Sequence, residues 1–140
     1  MKYMLIMRDT PEALEASKRR DFEEILDEMG AYNDALVKAG VLVGAEGLSD
    51  PSEGIVVDFD SEEPIVTDGP YGETHELFNG FWMIQVSSRE EAIEWAKRCP
   101  LGPGSKLELR RVNEWEDFAE HQDNEYVQKA QERKTGSAAG

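Results

Sequence analysis

The sequence predicts an α+β domain built on an antiparallel sheet. Three observations carry this: apolar stretches of strand length with loose alternation, two amphipathic segments of helical period between them, and the order βαβββαβ in which they follow. At 140 residues, 39% of them hydrophobic, the chain suits one domain that buries about two thirds of its unfolded surface without disulfides or metal staples.

Met1 to Arg8 alternates apolar and polar side chains and reads as the first strand. Thr10-Pro11-Glu12 starts a helix: Thr accepts from open amides, Pro fits the first helical position, and Glu favours the positive end of the dipole. A second helix start is expected at Ser17, leading into a long helix with an apolar stripe of Phe22, Ile25, Leu26, Met29, Tyr32, Leu36 and Val37, closed by Gly40 in the left-handed conformation. Val41 to Leu48 reads as the second strand, interrupted by Gly44 and Gly47, and Ser49-Asp50-Pro51 as a turn. Gly54 to Phe59 and Ile65 to Thr67 read as a short strand pair, followed by a loop rich in Gly and Pro up to Gly80. Phe81 to Val86 is the next strand. Ser88 with Glu91 has capping-box spacing and opens a helix that turns Ala92, Ile93, Trp95, Ala96 and Cys99 inward, ending at Pro100. Leu107, Leu109 and Val112 alternate as the last strand.

Two split β-α-β units of this kind make a ferredoxin-like antiparallel sheet with both helices on one face. The other face then needs cover, and a homodimer closing face to face into an α+β barrel supplies it. Asn113 with Glu116 repeats a capping-box spacing before a C-terminal helix with an aromatic stripe. The expected organisation is thus a ferredoxin-like domain at 1–112, a helical extension at 113–133 and a flexible tail at 134–140.

Charge narrows the function. Fifteen Lys and Arg against thirty Asp and Glu leave a net charge of −15, a repulsive field toward phosphate backbones and anionic lipids, so neither nucleic acid nor membrane is an expected partner. No apolar run approaches a membrane span or a secretory leader, and the single Cys99 suits a reducing compartment; a cytoplasmic location is expected. No phosphate-cradling glycine motif joins a strand to a helix, and no serine stands in a nucleophile elbow. Metal-ligand spacing is absent, and neither a metal nor an organic cofactor is expected. Cys99 reads as packing and His121 as solvent-facing.

The densest ionisable set is Asp68, Glu73, His75 and Glu76 on the central loop. A carboxylate beside an imidazole holds its proton and fixes its tautomer, which is the physical content of an acid/base pair. Asp68, Glu73 and His75 are therefore the catalytic candidates, with a turn-forming role for Asp68 as the plainer alternative. Arg8 is a candidate anion partner, with pairing to a nearby acid as the alternative. Tyr71, Phe78 and Trp82 are candidates to wall an apolar pocket.

Over Val66-Thr67-Asp68-Gly69-Pro70-Tyr71-Gly72-Glu73-Thr74 the chain resembles the YCII-related proteins, in the branch named for an Asp-Gly-Pro-Phe signature; Tyr71 stands where that signature has Phe. Lys2-Tyr3-Met4-Leu5, Ala39-Gly40-Val41-Leu42, Glu46-Gly47-Leu48, Gly80-Phe81 and the Glu90 to Ala96 helix extend the resemblance over residues 1 to 112. It implies a dimeric α+β barrel with a cleft beside the signature loop, and Asp68 and Glu73 are the positions carried over from that loop; Glu46, in the Glu46-Gly47-Leu48 run, joins Arg8, Tyr71 and Trp82 as a ligand-binding candidate. The wider family includes dehydrochlorinase-type enzymes and a proposed His-Asp pair whose His lies on the first helix. No His stands on the first helix of this sequence. The branch also occurs beside alternative sigma factors, which implies a transcription-regulatory partner. Two functions follow as expectations: a small-molecule-binding dimer with lyase or hydrolase acid/base chemistry at the Asp-Gly-Pro loop, or a non-catalytic regulatory domain.

Overall fold

A computed structural model describes residues 1–69 and 76–139, with side chains through residue 133. Four strands form the main sheet: β1 (Lys2–Asp9), β2 (Leu42–Gly47), β5 (Leu77–Gln85) and β6 (Ser105–Arg111), in the order β2-β5-β1-β6. All three pairings are antiparallel, as the ferredoxin-like order requires. Strands β3 (Ile55–Asp58) and β4 (Ile65–Asp68) pair only with each other, as a separate two-stranded ribbon.

Alternation sorts the sheet into two faces. Tyr3 and Leu5 of β1 and Trp82 and Ile84 of β5 point one way and meet Tyr32 and Leu36 of α2 (Phe22–Lys38) and Ala92 of α3 (Arg89–Lys97) in one core. Leu5, Leu36 and Ile84 are fully buried there. The register pairs Met4 with Met83 and Ile6 with Phe81 on the opposite face, where Lys2, Arg8, Lys106, Glu108 and Arg110 also project.

The first helical region departs from its expected form. Thr10 caps α1 (Pro11–Lys18) by accepting from the Ala13 amide, but Ser17 starts nothing; its hydroxyl donates back to the Leu14 carbonyl, 2.7 Å away. Asp21 is the cap of α2, accepting from the Glu23 amide, so a break at 19–21 separates two helices. The apolar stripe is also narrower than expected: Phe22, Leu26 and Val37 are 68, 49 and 58% exposed. Gly40, at φ +73°, ends the region as expected.

Strand β5 begins at Leu77, four residues before its expected start. Its early part is recruited by β1, through a bulge between Met7 and Arg8 that leaves Asn79 buried and donating to the buried Asp9 carboxylate at 2.7 Å. Ser105 donates to the same carboxylate, tying β6 to this corner.

After β6 the expected single helix is two elements. A 3₁₀ turn spans Trp115–His121, with Asp117 rather than Glu116 accepting from the amide at its start, that of Glu114; α4 (Glu125–Ala139) follows Asn124, whose side chain accepts from the amides of Tyr126 and Val127. Non-helical backbone at Phe118 interrupts the helical period there. Arg111 clasps Asp117 through two hydrogen bonds, holding the 3₁₀ turn to the sheet. Trp115 and Phe118 are half-buried, whereas Tyr126 is 74% exposed, and His121 faces solvent as expected.

Candidate functional site

A cleft of about 240 Å³ opens between α2 and the β2 side of the sheet, lined from α2 by Met29 and Asn33, from β1 by Met7, and from β2 and β5 by Ala45, Glu46, Phe81 and Trp82 with two glycines. Met29 and Asn33 are one helical turn apart and share a face of α2. Because Phe22 and Leu26 ride out into solvent, the first half of this helix leaves room above the sheet. Gly80 completes the floor: a Cβ there would stand 3.0 Å from the Glu46 carbonyl oxygen and 3.7 Å from the Met7 methyl carbon.

Trp82 organises the site. Its ring packs edge-on against Tyr32, with centroids 5.6 Å apart and planes at 86°, while its indole Nε1–H donates to Asn33 Oδ1 at 2.7 Å. The Tyr32 hydroxyl in turn donates to the Trp95 carbonyl at 2.8 Å, and burial pushes that phenol well above its ordinary value. An indole is a donor only, so this bond settles which end of the Asn33 amide faces Trp82. The Nδ2 group, with two N–H donors, has no hydrogen-bond partner among the described residues. The cleft is otherwise apolar: Glu46 borders it at the backbone carbonyl beside Gly80, while its register opposite Phe81 turns the carboxylate to the other sheet face, and among the described residues no Lys, Arg or His lines it. Such a lining suits an apolar body with one hydrogen-bond acceptor and disfavours an anion.

Of the candidates from the sequence, Glu46 and Trp82 meet in this cleft. Arg8 does not join them. It lies on the opposite sheet face and is ion-paired to Glu108 and, at 3.5 Å, to Glu76, which Lys106 also holds at 2.6 Å. The Lys106 ammonium, helped by Arg8, keeps the Glu76 carboxyl below its ordinary value. This is the plainer of the two roles expected for Arg8. Asp68 ends β4, opposite Ile55 and exposed; the following Gly69 takes φ +92° and donates its amide to the Gly54 carbonyl at 2.7 Å. Tyr71, Glu73 and His75 lie outside the described residues. Phe78 is 43% exposed and does not line the cleft, because the bulge at the start of β5 turns it away. Asn33 escaped the sequence reading. Its signal was a polar residue four positions after Met29 and three before Leu36, on the stripe that should be apolar.

Among the described residues no three His, Cys, Asp or Glu side chains converge as metal ligands would, and no helix is long and apolar enough to cross a membrane. Cys99 packs against the core, and burial pushes its thiol up to about 12.

The sheet order, the helices packed on one face and the cleft beside α2 define an α+β protein of ferredoxin-like architecture. Within that class the chain belongs to the YCII-related family, whose domain pattern matches residues 1–116. It is also similar to a protein of Rhizobium meliloti (strain 1021) named only as uncharacterised, at 27% identity over 97 residues, covering 69% of this chain and 78% of the relative.

Proposed function

We propose that the protein is a cytoplasmic, small-molecule-binding homodimer that takes a neutral or cationic ligand with an apolar body into the cleft beside α2. The observation that carries this is the Trp82–Asn33 hydrogen bond, which leaves the Asn33 amide donors for a ligand carbonyl or hydroxyl in an otherwise apolar cleft. The net charge of −15 and the lack of Lys, Arg and His among the described lining residues favour an amine or hydroxyl donor over a carboxylate. Dimerisation is supported by the second sheet face, where the half-buried Met4, Phe81 and Met83 gather around the buried Ile6. Lyase or hydrolase chemistry would draw on Asp68, Glu73 and His75 as acid/base groups, and the run Asp68-Gly69-Pro70 supports membership of the Asp-Gly-Pro branch.

The test is a thermal-shift series with phenylacetamide, phenethylamine and phenylacetate on the wild type, Asn33→Leu and Asp68→Asn. At a hundred times its dissociation constant a ligand adds about 2.7 kcal/mol to the folded state, or several degrees. The amide and the amine should shift the wild type and phenylacetate should not; Asn33→Leu should lose the response to the amide. Equal shifts from all three compounds, or an unchanged response in Asn33→Leu, would refute the ligand class. Loss of turnover in Asp68→Asn with binding retained would assign chemistry to the loop.

A second reading is a regulatory domain without chemistry, favoured by the absence of His from both α1 and α2. On that reading, native pull-down recovers a transcription-regulatory protein and no compound in the series shifts the wild type.

A further inference from the structure

The apolar wall of the cleft does not end at Met29. Phe22, Leu26, Met29 and Asn33 fall within about 60° of one another around the axis of α2, and Phe22 and Leu26 are 68 and 49% exposed. Met29 and Asn33 line the cleft, so the two exposed side chains carry the same line out of it, while Tyr32 and Leu36 hold the core on the neighbouring side of the helix. On the sheet side the end of β2 leaves space, since a Cβ built on Gly47 would meet no atom of the described residues within 4 Å. A Phe and a Leu left in water on one line, continuous with an apolar cleft, form a strip that an elongated apolar ligand would cover.

Polarity and charge select the chemistry of that ligand. At the inner end the Asn33 Nδ2 group offers two N–H donors, which call for a carbonyl oxygen. Along the strip the charges are acidic: Glu23, Glu24, Asp27 and Glu28 stand on the first half of α2, and Arg20 is already bound by Glu24 and Glu28 at 3.0 Å each. A carboxylate or phosphate head is repelled there, and a neutral amide is not. The helix sets the length. Asn33 stands seven residues after Leu26 and eleven after Phe22. These steps are about 10 and 16 Å along the axis, distances that extended chains of about eight and twelve carbons cover at about 1.25 Å per bond.

We propose that the ligand is a neutral, unbranched acyl amide of about eight to twelve carbons, its carbonyl oxygen accepting from Asn33 Nδ2 and its tail lying along Met29, Leu26 and Phe22. This rests on the cleft reading above, and the experiment separates the two. The probes are the N-(2-hydroxyethyl) amides of butanoic, octanoic and dodecanoic acids, with dodecanoate as the anionic control, titrated into the full chain and followed by tryptophan fluorescence. The wild type should bind each amide about fifteenfold more tightly than the one four carbons shorter, the gain expected when each added methylene is half-buried. Dodecanoate should bind at least about tenfold more weakly than its amide. Leu26→Ser should remove the gain from butanoyl to octanoyl, and Phe22→Ser only the gain from octanoyl to dodecanoyl; both positions are exposed, and circular dichroism verifies folding. If no amide binds, or Asn33→Leu binds all three as tightly as the wild type, the cleft reading falls and the tail site with it. If the butanoyl amide binds through Asn33 but the longer amides bind no tighter, or tighten equally in both serine variants, the tail site is overturned and the cleft stands. Dodecanoate binding as tightly as its amide overturns the neutral head. A wild-type dimer that either serine variant dissociates in sedimentation gives the strip to a second copy and overturns the proposal.

Discussion

At the scale of single residues, the cleft depends on a few atoms that permit no substitute. Gly80 is the clearest case. A methyl group there would press on the Glu46 carbonyl oxygen, which belongs to paired backbone and cannot swing aside. Gly80→Ala should lower stability by about 1–3 kcal/mol in denaturant unfolding and narrow the cleft, weakening ligand shifts beyond the stability loss. Leu36, fully buried between α2 and the sheet, should cost about 2–5 kcal/mol as Leu36→Ala, measured in the same way. Trp82 and Glu46 were readable as site candidates because aromatic and charged residues declare their chemistry by type. Asn33 was not, since a lone amide on a helix ordinarily faces water, and only its packing beside an indole donor gives it direction.

At the scale of elements, legibility followed how local the determining interaction is. β1, β2, the ribbon strands, β6 and the Ser88-capped helix α3 emerge within a few residues of their expected ends, because alternation and a capping serine act over one or two turns of chain. The start of β5 was hidden because Leu77 to Gly80 is drafted into the sheet by pairing with β1, about seventy residues away in sequence. The break between α1 and α2 was equally hidden: Ser17 and Asp21 both suit a helix start, and the choice falls to Asp21 through its bond to the Glu23 amide. Asp21→Ala should therefore cost about 1 kcal/mol, read as a lower unfolding midpoint with unchanged slope, while Ser17→Ala should change little. The exposed part of the apolar stripe, Phe22 and Leu26, shows why helical period alone overestimates burial: period identifies a face, and the length of the opposing sheet decides how much of it is covered.

At the scale of the whole molecule, acid stability follows from carboxylates held below their ordinary values. Lys18 does this to Asp50, whose ordinary value is 3.8; the Ser87 amide and hydroxyl do it to Glu91, and Lys106 to Glu76, both ordinarily 4.5. A group whose folded value lies below its unfolded one contributes stability that is complete above the unfolded value and disappears as pH falls through the folded one. The melting temperature should therefore hold down to about pH 5 and then decline, and Glu91→Gln should shallow that decline. Near neutrality the net charge of −15 opposes compactness, so raising salt from about 10 mM to about 500 mM should raise the melting temperature. The half-buried Cys99 has a practical corollary. Burial raises its thiol to about 12, so the reactive thiolate is scarce at pH 7 and the native chain reacts slowly with alkylating dyes. A cysteine introduced on the surface can then be labelled in preference to Cys99, and fluorescence from such a label on the exposed β3–β4 ribbon would report in real time whether that surface is taken up by a partner.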